Sequence, residues 1–277
     1  MNTKLSIAIL IAAILAGCQK PTEVQLRDDQ SPLEIEAISD ADTSLDETAV
    51  DTTALLPRDH RDYIGFATVS SVKSDWGNGV RQSVHARVVV VNKSNRIPFR
   101  DRGVFFGRLL GTVSINGEIM IPRLRIQGNL DSGIEYVRDI LNHLPRRVYT
   151  FTADSLASPL TIESPENLVV ASPVGGQRIA RENDFELRWS GEERISLIVS
   201  RMVVEQGEVT VVPVLHIKAR QIHDRVVLSR RILSLLPRGD YVFSFVASNR
   251  GEYQTARYQG KVLMQASSIY NVRVDLI

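Results

Sequence analysis

Cys18 is the only thiol in the 277-residue chain. One cysteine forms no internal disulfide and supplies at most one metal ligand, so a disulfide framework and a thiolate cluster are both excluded. The five histidines are His60, His85, His143, His216 and His223. Only His216 and His223 are close in sequence, and with Asp224 they offer ligands at a spacing that fits no closed metal site. Asp59-His60-Arg61-Asp62 has the makings of an acid/base cluster but reads as a solvated charged run. No G-x-S-x-G elbow, Walker loop, Rossmann glycine set or H-E-x-x-H is present, and no pair of carboxylates stands out as a glycosidase pair would. The expectation is therefore no catalytic residue, no cofactor, no metal site and no nucleic-acid partner. Arg238-Gly239-Asp240 spells a tripeptide read by animal integrins, but it falls in a turn that needs glycine and keeps its charges in water.

What surrounds Cys18 gives the thiol a different use. Lys4 precedes an apolar run from Leu5 to Leu15, the length of a signal-peptide core and too short to span a bilayer. The run ends in Leu15-Ala16-Gly17-Cys18, which resembles the lipobox of bacterial lipoproteins. The resemblance implies that residues 1–17 are a signal peptide, that Cys18 is acylated on sulfur and becomes the new N-terminus, and that a lipid such as palmitate anchors the chain in the cell envelope. Gln19 rather than Asp follows, which in the enterobacterial pattern implies the outer membrane.

Between the anchor and the body, residues 19–56 hold ten acids and two bases, 2 − 10 = −8, and no aromatic residue. Such a segment buries too little apolar surface to order itself, so residues 18–58 are expected to be a disordered acidic tether, with a short amphipathic helix near Leu33 to Ile38 as the one exception to test. Residues 57–277 keep 30 bases and 22 acids, 30 − 22 = +8, and Arg outnumbers Lys 27 to 6 over the chain. Guanidinium groups suit anionic headgroups or polymers, but a charged outward strand face explains them as simply.

The body repeats itself. Ile140-Leu141-Asn142-His143-Leu144-Pro145-Arg146-Arg147-Val148-Tyr149-Thr150-Phe151 returns 92 residues later as Ile232-Leu233-Ser234-Leu235-Leu236-Pro237-Arg238-Gly239-Asp240-Tyr241-Val242-Phe243, with seven of twelve positions identical. Gly117-Glu118-Ile119 is echoed by Gly207-Glu208-Val209, and Pro122 to Ile126 by Pro213 to Ile217. Three echoes in one order indicate two tandem modules. Short β-branched runs separated by Asn78-Gly79 and Asn116-Gly117 indicate hairpins. Ser132-x-x-Glu135 resembles a capping box, and Ile134, Val137, Leu141 and Leu144 stand at helical spacing, so at most one short helix is expected between Asp131 and Leu144.

In the second module Phe185-x-Leu187-x-Trp189 resembles strand B of a fibronectin type III or related immunoglobulin-like domain. Leu236-Pro237-x-Gly239-x-Tyr241-x-Phe243 resembles its E–F turn and strand F, with Tyr241 as the corner tyrosine. The fold expected is all-β: two tandem immunoglobulin/fibronectin III-like β-sandwiches, residues 63–162 and 167–277, behind the tether. Leu144, Tyr149, Trp189, Leu236 and Tyr241 are its expected structural residues, with both leucines buried beneath their turns. A lipid-anchored envelope protein that binds or scaffolds a protein or polymer partner fits this set. A surface adhesin and an envelope enzyme acting on glycan or peptide are the alternatives.

Overall fold

The computed structural model describes residues 33–37, 63–90, 111–125, 133–140, 144–154, 158–205, 208–220, 225–254 and 261–277. A lone strand β1 (Leu33–Ala37) comes first. The first sandwich follows with β2 (Tyr63–Asp75), β3 (Val80–Val90), β4 (Val113–Ile115), β5 (Glu118–Ile119), β6 (Ile121–Arg125), β7 (Gly133–Asp139), β8 (Val148–Ala153) and β9 (Leu160–Glu163). The second holds β10 (Val169–Ser172), β11 (Gln177–Ile179), β12 (Phe185–Ser190), β13 (Arg194–Glu205), β14 (Glu208–Arg220), β15 (Val226–Leu228), a one-turn helix α1 (Arg230–Leu233), β16 (Gly239–Gln254) and β17 (Lys261–Leu276).

The two units share one topology. In the first, β2-β3-β7-β6 forms one layer and β5-β4-β8-β9 the other. In the second the layers are β10-β12-β15 and β14-β13-β16-β17, with β11 pairing parallel to β17. These are the A-B-E(-D) and C′-C-F-G orders of an immunoglobulin-type sandwich. The chain is thus an all-β protein of two such modules. The repeated Leu-Pro-Tyr element leads into β8 in one and β16 in the other, the same strand F of each.

The modules are not beads on a string. β16 and β17 are 16 residues each, far longer than their counterparts β8 and β9, and the extra length reaches into the first sandwich. There β17 pairs in parallel with β2, from Lys261 opposite Tyr63 to Val272 opposite Asp75. One layer of each module so joins into a single ten-stranded sheet. Alternate residues of β17 then serve two cores: Val262, Met264 and Ala266 pack with Ala67, Val69, Tyr149 and Phe151, whereas Tyr270, Val272, Val274 and Leu276 pack with Leu187, Trp189 and Phe245. The strands of the first module end at Glu163 and those of the second begin at Val169, but the first core draws on β17, the last strand.

Polar contacts secure the junction. The Asp75 carboxylate accepts from the Gly77 amide at 3.0 Å and from the Gly175 amide at 2.9 Å, tying the end of β2 to the loop after β10. A Cβ on Gly175 would stand 2.2 Å from that carboxylate, so the approach demands glycine. The Leu168 amide donates to Ser268 Oγ at 3.0 Å, and Lys73 Nζ to the Leu168 carbonyl at 3.3 Å.

Two local expectations are corrected. Residues 133–139 form strand β7, paired with β3 on one side and β6 on the other, where a short helix was expected. Pairing on both edges overrides the helical spacing, and Tyr136, at 3% exposure, is the residue that the strand buries. Residues 33–37 form strand β1 on β14, where a tether with a possible helix was expected. Leu-Glu-Ile-Glu-Ala alternates with period two, a strand signal hidden by the acidity around it. The rest of residues 18–58, Cys18 included, lies outside the described residues. The Asn116-Gly117 turn has both residues left-handed, φ 50° and 83°, as a two-residue hairpin requires.

Candidate functional site

The E–F corner of the second module is built around Tyr241. Its ring is fully buried and its hydroxyl donates to the Pro237 carbonyl, four residues back, at 2.9 Å. Burial pushes the phenol pKa up, against a smaller pull downward from Arg201 and Arg181. The hydroxyl therefore stays protonated as a donor and fixes the turn. Ahead of it, α1 presents Ile232 and Leu233 to the core, and Leu236 follows at 6% exposure. The loop between β11 and β12 grips both ends of this helix. The Asp184 carboxylate accepts from the Arg230 amide at 2.7 Å, and Arg181 donates to the Ser234 carbonyl at 2.7 Å. Trp189 lies beneath, its ring 5.9 Å from Phe245 and its indole N–H on the Glu192 carbonyl at 2.8 Å.

The matching corner of the first module uses other means. Tyr149 is fully buried, and desolvation raises its pKa while a backbone hydrogen bond at Leu144 and the Arg147 guanidinium lower it. Leu144, expected to be buried, is 57% exposed. The reason is local: Arg146 takes a left-handed φ of 55°, and a serine pins the turn by its backbone. Ser164 Oγ accepts from the Arg147 amide at 3.1 Å and donates to the Leu144 carbonyl at 3.0 Å. With the backbone held this way, the leucine side chain is left outside.

The other chemistry-bearing residues stay apart. His85 pairs with Asp139 across β3 and β7 at 2.7 Å, and His216 lies on β14. His60, His143, His223 and Asp224 fall outside the described residues. Among the described residues no three His, Cys, Asp or Glu side chains gather as metal ligands, and no helix is long and apolar enough to cross a membrane. Arg238 and Asp240 are engaged locally, Arg238 with Glu182 at 3.7 Å and Asp240 with Arg273 at 3.1 Å. Trp76 is half-buried beside the β2–β3 turn.

The feature that sequence reasoning missed is an apolar ribbon. β13 pairs with β16 only from Ser196 to Arg201, and the β13–β14 hairpin continues past that contact to Glu205 and Glu208. Beyond it Val204 stands opposite Val209, Met202 opposite Val211 and Ser200 opposite Pro213. Leu197 and Val199 face the core, so alternation places Met202 and Val204 on the outer face of the sheet together with their partners. Val204 and Val209 are 69% and 57% exposed. The available signal was the valine-rich pattern on both sides of Gly207.

No protein-family model matches the chain, and no curated protein sequence matches it. Among solved structures it is similar to native alpha-2-macroglobulin from Escherichia coli spanning domains MG0-NIE-MG1, at 11% identity over 72% of this chain and 69% of that chain, with a TM-score of 0.21. It is similar also to the Bacteroides ovatus mixed-linkage glucan utilization locus SGBP-B in complex with a mixed-linkage heptasaccharide, at 11% identity over 70% of this chain and 54% of that chain, with a TM-score of 0.17. Scores this low establish no shared function.

Proposed function

We propose that this chain is a lipid-anchored protein of the bacterial cell envelope that binds or scaffolds an envelope partner without catalysis. The observation that carries the binding role is the projecting β13–β14 ribbon, whose outward face is Met202, Val204, Val209 and Val211. A two-stranded ribbon adds little to its own core, and covering its exposed valines would release the transfer free energy that they forgo in water. The parallel β2–β17 junction supports a scaffold, since it couples two sandwiches with little freedom to hinge. The anchor rests on Leu15-Ala16-Gly17-Cys18, and Gln19 favours the outer membrane.

The test is crosslinking in the native envelope, comparing the wild-type chain with Val204→Asp/Val209→Asp. The expected result is a discrete crosslinked partner with the first and its loss with the second, while melting temperature is unchanged. Identical crosslinks from both chains would remove the ribbon from the reading. The anchor is tested separately by mass spectrometry of the mature N-terminus. A diacylated Cys18 is expected, and Cys18→Ser should leave unprocessed precursor. An unmodified Cys18 in the mature protein would overturn the anchor and leave the ribbon untouched.

A further inference from the structure

We propose that the edge of β14 at Leu215–Ala219 is a strand-accepting interaction surface, filled within one chain by its own Leu33–Ala37 and between chains by the same segment of a second copy. The proposal rests on sheet geometry alone and does not depend on the lipid anchor. β1 pairs only with β14, antiparallel, from Leu33 opposite Ala219 to Ala37 opposite Leu215. It lies outside the strand sets of both sandwiches and extends the second module's layer past its edge strand β14. On β14 the core-facing residues of this stretch, Leu215, Ile217 and Ala219, are buried, so the accepting edge is held rigid.

The occupant is a second copy because the chain itself carries the segment that matches. In register, apolar Leu33, Ile35 and Ala37 stand opposite Ala219, Ile217 and Leu215, and acidic Glu34 and Glu36 stand opposite Lys218 and His216. A one-residue slip would place the acids opposite the core-facing positions, so the pattern specifies the pairing.

Reach decides whether the strand closes on its own chain. Ala37, Leu215, Val199, Phe243, Val272 and Asp75 form one rung across the sheet. Tyr63, where the chain from β1 re-enters, lies at the far end of β2, 75 − 63 = 12 residues from that rung. At about 3.3 Å per residue and about 4.8 Å per strand, Ala37 and Tyr63 are about 40 Å apart along the strands and about 24 Å across five intervals, or about 45 Å in all. Residues 38–62 span up to about 80 Å when extended, so closure within one chain is easy and a dilute wild-type chain stays monomeric. Shortening that connection below the gap leaves β1 only the edge of another molecule, the route of strand exchange.

The experiment uses the full chain in mild detergent, read by native mass spectrometry. Deleting residues 40–58 leaves 38–39 and 59–62 as the connection, with a reach of about 25 Å. Deleting residues 44–52 leaves 38–43 and 53–62, with a reach of about 55 Å. The long deletion is expected to form a dimer, whereas the wild type and the short deletion stay monomeric. Adding Glu34→Pro/Ile35→Pro to the long deletion should return it to monomer. Successive amides point to opposite sides of a strand, so one proline of the pair removes a ladder bond whichever side faces β14. A monomeric long deletion overturns the proposal. A dimer that survives the prolines, or that the short deletion forms equally well, assigns the association to another surface and overturns it too.

Discussion

Met264→Ala is expected to unfold both sandwiches more easily, although the residue sits in the core of the first and on a strand that belongs to the second. Met264 is fully buried among Ala67, Val69, Tyr149 and Phe151. Truncating a buried methionine costs about 2–5 kcal/mol, through lost transfer energy and the cavity that remains. Because β17 runs through both cores and holds β2 in register for most of its length, the loss is shared. The two tryptophans supply separate probes, Trp76 at the β2–β3 turn of the first module and Trp189 in the core of the second. In denaturant melts of Trp76→Phe and Trp189→Phe backgrounds, Met264→Ala should shift both transitions by the same amount. A shift seen only by Trp76 would mean that the modules unfold independently and that the β2–β17 ladder contributes little.

This coupling was not legible in the sequence, for a physical reason. A repeat with an offset of 92 residues reports what each module does for itself, and the equivalence of β8 with β16 follows from Tyr149 and Tyr241 alone. It does not report pairing between modules. Parallel pairing of β2 with β17 joins residues nearly 200 positions apart and leaves no local turn signal. Strand length was the available clue: Gly239 to Gln254 and Lys261 to Leu276 run to twice the length that one sandwich needs. The strand at 33–37 was hidden differently. Its period-two pattern is only five residues long, inside a segment whose net charge argues against order. Composition over a long window outweighed alternation over a short one, and the edge of β14 supplied what composition lacked.

The repeated turn itself is tested by truncating its two leucines. Leu236 is 6% exposed and packs with the second core beside Ile232 and Leu233, so Leu236→Ala is expected to cost about 2–5 kcal/mol. Leu144 occupies the same place in the sequence repeat but is 57% exposed, so Leu144→Ala is expected to cost no more than about 0.5 kcal/mol. Between these extremes lies Tyr241→Phe, which keeps the buried ring and deletes only the bond to the Pro237 carbonyl, a loss of about 1 kcal/mol. Asp240→Ala gives up a half-exposed ion pair with Arg273 and should fall at or below about 1 kcal/mol. Ser164→Ala is the informative partner for the first module, because its hydroxyl bridges the Arg147 amide and the Leu144 carbonyl. Its removal unpins a turn that no leucine supports, and about 1–2 kcal/mol is expected. Denaturant melts should therefore rank Leu236→Ala first, Ser164→Ala and Tyr241→Phe together, and Leu144→Ala last. Equal costs for the two leucines would show that the exposed position of Leu144 is not its position in solution. A silent Ser164→Ala would show that the first corner is held by Tyr149 without help from the serine.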